Sequence, residues 1–214
     1  MPSDEVYSHI GSLRVVPVIA IEDANAALPL ADALLEGGLP VAEITFRTAA
    51  AAAVIEKIGK ERPEVLVGAG TVLTVENLRR AIDCGARFGV APGCNPLVVS
   101  EALRAGFPFA PGVMTPSDIE AALAQGVRTM KFFPAGAAGG VKMLQSIAAP
   151  YAHLGVKFIP TGGVNQANLK EYLGQKTVLA VGGTWIATKD DIGAGRWDSI
   201  RENCRQAVAA AREP

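Results

Sequence analysis

Histidine and cysteine, the nitrogen and sulfur ligands of metals, are scarce in this chain, and few residues are aromatic. Among 214 residues there are two histidines, three cysteines and only 6% aromatics. His9 and His153 form no HExxH pattern or other ligand spacing, so a catalytic zinc is not expected. Cys84, Cys94 and Cys204 are odd in number and contain no C-x-x-C pair, which argues against a disulfide scaffold or a structural zinc and for a reducing compartment. Neither sign of charge dominates. Twenty Lys and Arg face twenty-one Asp and Glu, a net charge of −1, so the electrostatic footprint of a general nucleic-acid binder is missing. Long apolar runs are missing too: Gly, Pro or a charge interrupts each one before the roughly 20 residues of a membrane span. The first residues, MPSDEVYSHIGSLR, carry acids and no apolar core, so no secretory signal is expected and the reading is cytoplasmic.

Aliphatic residues and punctuation are plentiful. Half the residues are hydrophobic, and 23 Gly and 14 Pro divide them into short elements. Apolar, β-branched runs fall at 15–21, 41–46, 65–68, 87–91, 108–111, 129–133, 157–160 and 178–181. They lack clean polar alternation, as expected of parallel strands covered on both faces. Between them lie stretches with helical spacing, to which Leu28, Ala31, Leu34, Leu35, Leu78, Ile82, Leu97 and Leu103 contribute apolar stripes. Thr74, Asn95, Thr115 and Asn165 are candidate N-caps. Gly37-Gly38, Cys84-Gly85, Ala105-Gly106, Gln125-Gly126 and Leu173-Gly174 are candidate helix ends.

Strand starts are separated by 26, 24, 22, 21, 21, 28 and 21 residues, each about one βα unit. Eight units in series predict a single (β/α)8 barrel over residues 1–214, preceded by a short helix that covers its lower end. An open doubly wound sheet is the rival. The barrel uses the whole length, leaving none for a lid domain.

Function in such a barrel collects at the carboxyl ends of the strands. Lys131 stands in an apolar strand between Met130 and Phe132-Phe133. Lysine is seldom buried unless paired or functional, and a neutral amine attacks carbonyls to form Schiff bases. Two plainer readings stand beside that one: an ion pair with Glu43, or a strand-end lysine reaching water. Glu43 and Arg47 share one face of the second strand, where they offer a proton-transfer carboxylate and a carboxylate-binding guanidinium, or simply bridge each other. Thr161-Gly162-Gly163 and Gly182-Gly183-Thr184 follow strands seven and eight, where phosphate sites recur in these barrels. Ordinary turn chemistry also accounts for them. Gly68-Ala-Gly70 lacks the third glycine of a dinucleotide fingerprint, and Cys94 has no histidine at a strand end to activate it.

The ordered segments VVPVIAIEDANAALPLADALLEGGLPVAEITFRT, VGAGTVL, APGCNP, PGVMTPSDIEAAL, KFFPAGAAGGVKMLQSIAAPY, PTGGVNQANLKEYL and VGGTWI resemble the 2-dehydro-3-deoxy-phosphogluconate (KDPG) aldolase family over most of the chain. That resemblance implies a class I aldolase on a (β/α)8 barrel, a homotrimer working without a metal. It implies that Lys131 forms the Schiff base and Glu43 is the general acid/base. Arg47 and Thr71 would hold the substrate carboxylate, and Pro92 and Phe133 would wall the pyruvyl group. The loop of Thr161, Gly162 and Gly163, with Gly183 and Thr184, would hold the phosphate. Thr184 departs from the commoner Ser but retains the hydroxyl. The expected partners are a phosphorylated 2-keto acid and pyruvate. An aldolase for the galactonate epimer or for 4-hydroxy-2-oxoglutarate is the near alternative, although Arg47 favours the gluconate type. A phosphosugar isomerase or a non-covalent phosphate-binding barrel is the more distant one.

Overall fold

Strand and helix alternate along the computed structural model, which describes residues 3–212. The order is α1 (Ser3–Leu13), β1 (Val15–Ile19), α2 (Ala27–Glu36), β2 (Val41–Thr45), α3 (Ala51–Glu61), β3 (Leu66–Gly70), α4 (Val75–Asp83), β4 (Gly89–Val90) and α5 (Pro96–Arg104). Then come β5 (Phe109–Ala110), β6 (Gly112–Val113), α6 (Pro116–Ala124), β7 (Thr129–Phe132), α7 (Gly140–Ala148), β8 (Lys157–Pro160), α8 (Leu169–Leu173), β9 (Val181–Gly183), α9 (Lys189–Gly193) and α10 (Trp197–Arg212).

Every strand pairing is parallel, in two curled sheets ordered β5-β4-β3-β2-β1-β9 and β6-β7-β8. The expected run at 108–111 is split at Pro111, which has no N–H to donate to a ladder. Its amino side pairs with β4, while its carboxyl side pairs with β7. The expected strand at 178–181 is shifted. Val178 makes one isolated bridge to Phe158, and the strand proper is Val181–Gly183, with a second bridge from Gly182 to Thr161. The run at 87–91 shortens to Gly89–Val90.

The core lies on both faces of the strands, as their unbroken apolar character requires. β1, β2 and β3 are buried at all five positions. Helices cover them with aliphatic stripes, such as Leu30 and Leu34 of α2 and Val54, Ile55 and Ile58 of α3; each buried Leu or Ile contributes about 2 kcal/mol. α1 turns Val6 and Ile10 inward, and α10 packs on α2 and α8 through Ile200, Cys204, Ala207 and Ala211.

Thr74, Asn95 and Thr115 cap their helices as expected, the last in a capping box with Asp118. Asn165 does not: its side chain accepts from the Ala167 amide in a turn, and the helix starts only at Leu169. Gly38, Gly85, Gly106 and Gly126 end helices in the left-handed conformation, whereas Gly174 stays right-handed. Leu97 and Leu103 are a correction to the expected core. They are 70% and 49% exposed, because α5 turns Val98, Val99 and Ala102 inward instead.

Candidate active site

The pleat of β7 alternates its residues between two environments. Met130 and Phe132 are fully buried among apolar groups, and Lys131 between them faces the other way. Its Nζ donates to Glu43 Oε1 at 2.9 Å and to Oε2 at 3.2 Å. Glu43 comes from the middle of β2, so the pair joins the two sheets. Only 7% of the lysine side chain and 4% of the glutamate side chain are exposed. Removing both charges from water largely cancels their attraction, so a buried pair is weak support for stability. What the placement does provide is an amine and a carboxylate in hydrogen-bond contact in a dry setting.

Two flanking residues shape this setting. The Phe133 ring centroid is 5.8 Å from Lys131 Nζ, within reach of a cation–π contact. A Cβ on Gly162 would stand 3.1 Å from the same ring, so Phe133 links the lysine to the loop after β8. A Cβ on Gly112, the β6 residue in register with Lys131, would overlap the Pro92 carbonyl at 2.1 Å. Thus Pro92 packs directly on the strand beside the lysine.

Gly70, weighed in the sequence only against a dinucleotide fingerprint, has a place in this site. A Cβ there would stand 2.2 Å from Glu43 Oε1, so the carboxylate lies on bare backbone. The available signal was a glycine inside a strand, which marks close approach of another group. Just beyond it, Thr71 has φ +57°, a rare conformation for a β-branched residue, and strain of this kind concentrates at functional sites. Arg47 lies past the end of β2 and is exposed, with its Nε donating to Thr45 Oγ1 at 3.3 Å. The mutual Glu43–Arg47 bridge is therefore not the arrangement.

Thr161 is buried, its hydroxyl 3.3 Å from the Ile159 carbonyl, while Gly162 and Gly163 follow at φ +88° and +83°. No other residue adopts two such conformations in succession without strain. Gly182 and Gly183 lie within β9 rather than after it. The Thr161 side chain occupies the place of a Cβ on Gly182, and the Trp185 ring does so at Gly183. Thr184, next in the chain, is exposed. No helix N-terminus follows either glycine pair directly, since α8 and α9 start several residues later and each spans only five residues. Any anion here would rely on loop backbone and the Thr184 hydroxyl.

Burial raises the pKa of the Cys94 thiol, with Asp118 adding to the shift, so the thiolate is disfavoured at this position. At the opposite end, where the strands begin, Arg14, Leu173, Gly174 and Lys170 line a cavity of about 380 Å³ that shares no residue with the site. No helix among the described residues is long and apolar enough to cross a membrane.

A buried, carboxylate-paired lysine on a parallel strand suits an enzyme of the Schiff-base type, and the same geometry also satisfies the plain ion pair with Glu43. The comparisons make the class particular. The family model for KDPG and KHG aldolase matches residues 6–203. The chain is 43% identical over 206 residues to the 2-dehydro-3-deoxy-phosphogluconate aldolase of Haemophilus influenzae, covering 96% of both chains. Among solved structures it resembles the KDPG aldolase of Legionella pneumophila, which holds pyruvate as a covalent carbinolamine intermediate. The TM-score is 0.90 at 38% identity, covering 96% of this chain and 97% of that one. It also resembles the 2-keto-3-deoxy-6-phosphogluconate aldolase of Zymomonas mobilis solved with 3-phosphoglycerate, with TM-score 0.86, 37% identity and coverage of 97% and 95%. The chain belongs to the KDPG and KHG aldolase family and is a carbon–carbon lyase.

Proposed function

We propose that this protein cleaves 2-dehydro-3-deoxy-6-phosphogluconate to pyruvate and glyceraldehyde 3-phosphate. The observation that carries the reading is the buried Lys131–Glu43 pair, at 2.9 Å. Lys131, deprotonated, attacks the C2 ketone; the carbinolamine loses water to give an iminium. Glu43 takes the C4 hydroxyl proton as the C3–C4 bond breaks, and the bonding electrons flow into the iminium to leave an enamine. The same carboxyl returns the proton to C3, and hydrolysis frees pyruvate and the amine. Each carbon step thus uses the two groups already in contact, with no metal in the scheme.

Around this pair, Arg47 and Thr71 hold the substrate carboxylate, and Pro92 and Phe133 wall the pyruvyl methyl. The strained Thr71 backbone, the packing of Pro92 on β6 beside the Lys131 strand and the Phe133 ring over the Lys131 amine support those roles. Thr161, Gly162, Gly163, Gly183 and Thr184 form the phosphate end; the left-handed glycine pair and the exposed hydroxyl support it. Because the Z. mobilis relative was solved with 3-phosphoglycerate, a phosphorylated substrate is preferred over the unphosphorylated 4-hydroxy-2-oxoglutarate, which the family description leaves as a second substrate.

We further infer that residues 1–214 are one domain whose sheets form a closed (β/α)8 barrel. The single residue, Pro111, that separates β5 from β6 and the two bridges from the β8 segment to the β9 segment support closure. The exposed Leu73, Leu97 and Met114, all on the strand-end side, support self-association as a trimer. The working compartment is the cytoplasm.

Pyruvate release from 2-dehydro-3-deoxy-6-phosphogluconate, followed by a coupled reduction, tests the activity. Turnover that disappears in Lys131→Met supports the assignment. Turnover that persists in that variant, or wild-type protein that releases no pyruvate, contradicts it.

A further inference from the structure

Thr45 is a hydroxyl residue in a strand of otherwise aliphatic neighbours, and it is only 1% exposed. By the two-residue period of β2 it lies on the same face as Glu43, between that carboxylate and Arg47. Its Oγ1 stands 3.0 Å from the Ile19 carbonyl at the end of β1 and 3.3 Å from Arg47 Nε. The chemistry assigns both bonds. A guanidinium has no acceptor, so the hydroxyl accepts from Arg47, and its single proton goes to Ile19. The backbone of β1 therefore orients the hydroxyl, and the hydroxyl in turn holds an otherwise exposed arginine.

We propose that Thr45 is a positioning residue that fixes how Arg47 presents its guanidinium. With Nε engaged, the side-on fork of Nε and one terminal nitrogen is occupied. The end-on fork of the two terminal NH2 groups remains, and it matches the two oxygens of a carboxylate. An exposed arginine without this anchor samples many rotamers and loses that freedom on binding. Thr45 thus prepares binding of the carboxylate end of the substrate and takes no part in the carbon chemistry. The inference rests on the reading of Arg47 as the carboxylate clamp.

The test replaces Thr45 by Val, which keeps the shape without the hydroxyl, and by Ser, which restores it. In Thr45→Val the KM for 2-dehydro-3-deoxy-6-phosphogluconate rises about tenfold while kcat stays within about threefold, as loss of a hydrogen bond to a charged group implies. Thr45→Ser returns KM to within about twofold of wild type. In an Arg47→Ala background the same Val substitution leaves KM nearly unchanged, because nothing remains to be positioned. An equal rise in both backgrounds, or a fall in kcat with KM unchanged, makes Thr45 merely structural and overturns the proposal.

A second readout does not depend on turnover. The Nε–H proton of Arg47, assigned by its loss in Arg47→Ala, exchanges with water several-fold faster in Thr45→Val than in wild type. Equal exchange rates overturn the proposal. A wild-type protein that cleaves no keto acid, yet shows the Thr45-dependent exchange, refutes the aldolase reading and supports the positioning.

Discussion

Two residues other than glycine adopt a left-handed backbone among the described residues, and they stand at opposite ends of the strands. Arg14, φ +63°, precedes β1; Thr71, φ +57°, follows β3. The strain is the same but its uses differ. At the lower end Arg14 stops α1, and its guanidinium donates to the Leu173 carbonyl at 2.6 Å, one of the unsatisfied groups at the end of α8. At the upper end Thr71 borders Gly70, on which the Glu43 carboxylate lies. The cations differ in the same way. Arg14 serves a neutral carbonyl in a structural joint, whereas Lys131 is held against a carboxylate with which a proton can be exchanged. Strain and a cation withdrawn from water are thus ambiguous by themselves; on the proposed reading, the partner of the cation separates scaffold from chemistry.

The contrast is broken most strongly at Lys131. Lys131→Met lowers turnover by on the order of 10⁴-fold or more, as removal of a nucleophile does. It also leaves Glu43 buried and unpaired, at a stability cost of about 3–5 kcal/mol. Adding Glu43→Gln recovers most of that stability in thermal melts and none of the activity. If the double variant regained turnover, the chemistry would lie elsewhere. Next in size is Gly70→Ala, whose Cβ would stand 2.2 Å from Glu43 Oε1. The carboxyl must move, and misplacement on this scale costs roughly 100-fold in kcat.

Glycine at each left-handed position sharpens the comparison further. Thr71→Gly removes strain of about 1–3 kcal/mol, so it keeps or raises the melting temperature while KM rises. Arg14→Gly gains the same relief but loses the bond to Leu173, so its melting temperature shifts less favourably than that of Thr71→Gly, and kcat/KM is unchanged. Matching effects of the two variants would erase the distinction between the ends. The smallest effect is electrostatic. Burial opposes the Asp118 carboxylate, but the Met114 and Thr115 amides and the Thr115 hydroxyl hold its pKa below the ordinary value. A lowered folded-state pKa stabilises above the unfolded value, and that contribution is lost as pH falls through the folded one. Asp118→Asn therefore flattens the acid limb of the stability curve, measured by urea unfolding between neutral and acid pH.

The βα rhythm was legible because each parallel strand is a short aliphatic run and half the helices end on a left-handed glycine. Lys131 stood out because a cation between Met130 and Phe132 has no place in an apolar strand. The split at Pro111 was hidden, since an apolar run reads as one strand until its hydrogen bonds are followed. The exposure of Leu97 and Leu103 was hidden by phase: in a nine-residue helix, a small error in phase exchanges the buried and exposed stripes. Gly70 was weighed against a nucleotide fingerprint, and only the position of Glu43 explains it. Thr45 was illegible because threonine is common in strands and its two bonds come from residues distant in sequence or beyond the strand.

The central claim is that Lys131 forms the covalent bond. Incubating the protein with pyruvate and borohydride, then mapping the adduct by peptide mass, tests it directly. The account predicts a single reduced pyruvyl adduct on Lys131, absent from Lys131→Met. An adduct on another lysine, or none under conditions that trap a control aldolase, contradicts it.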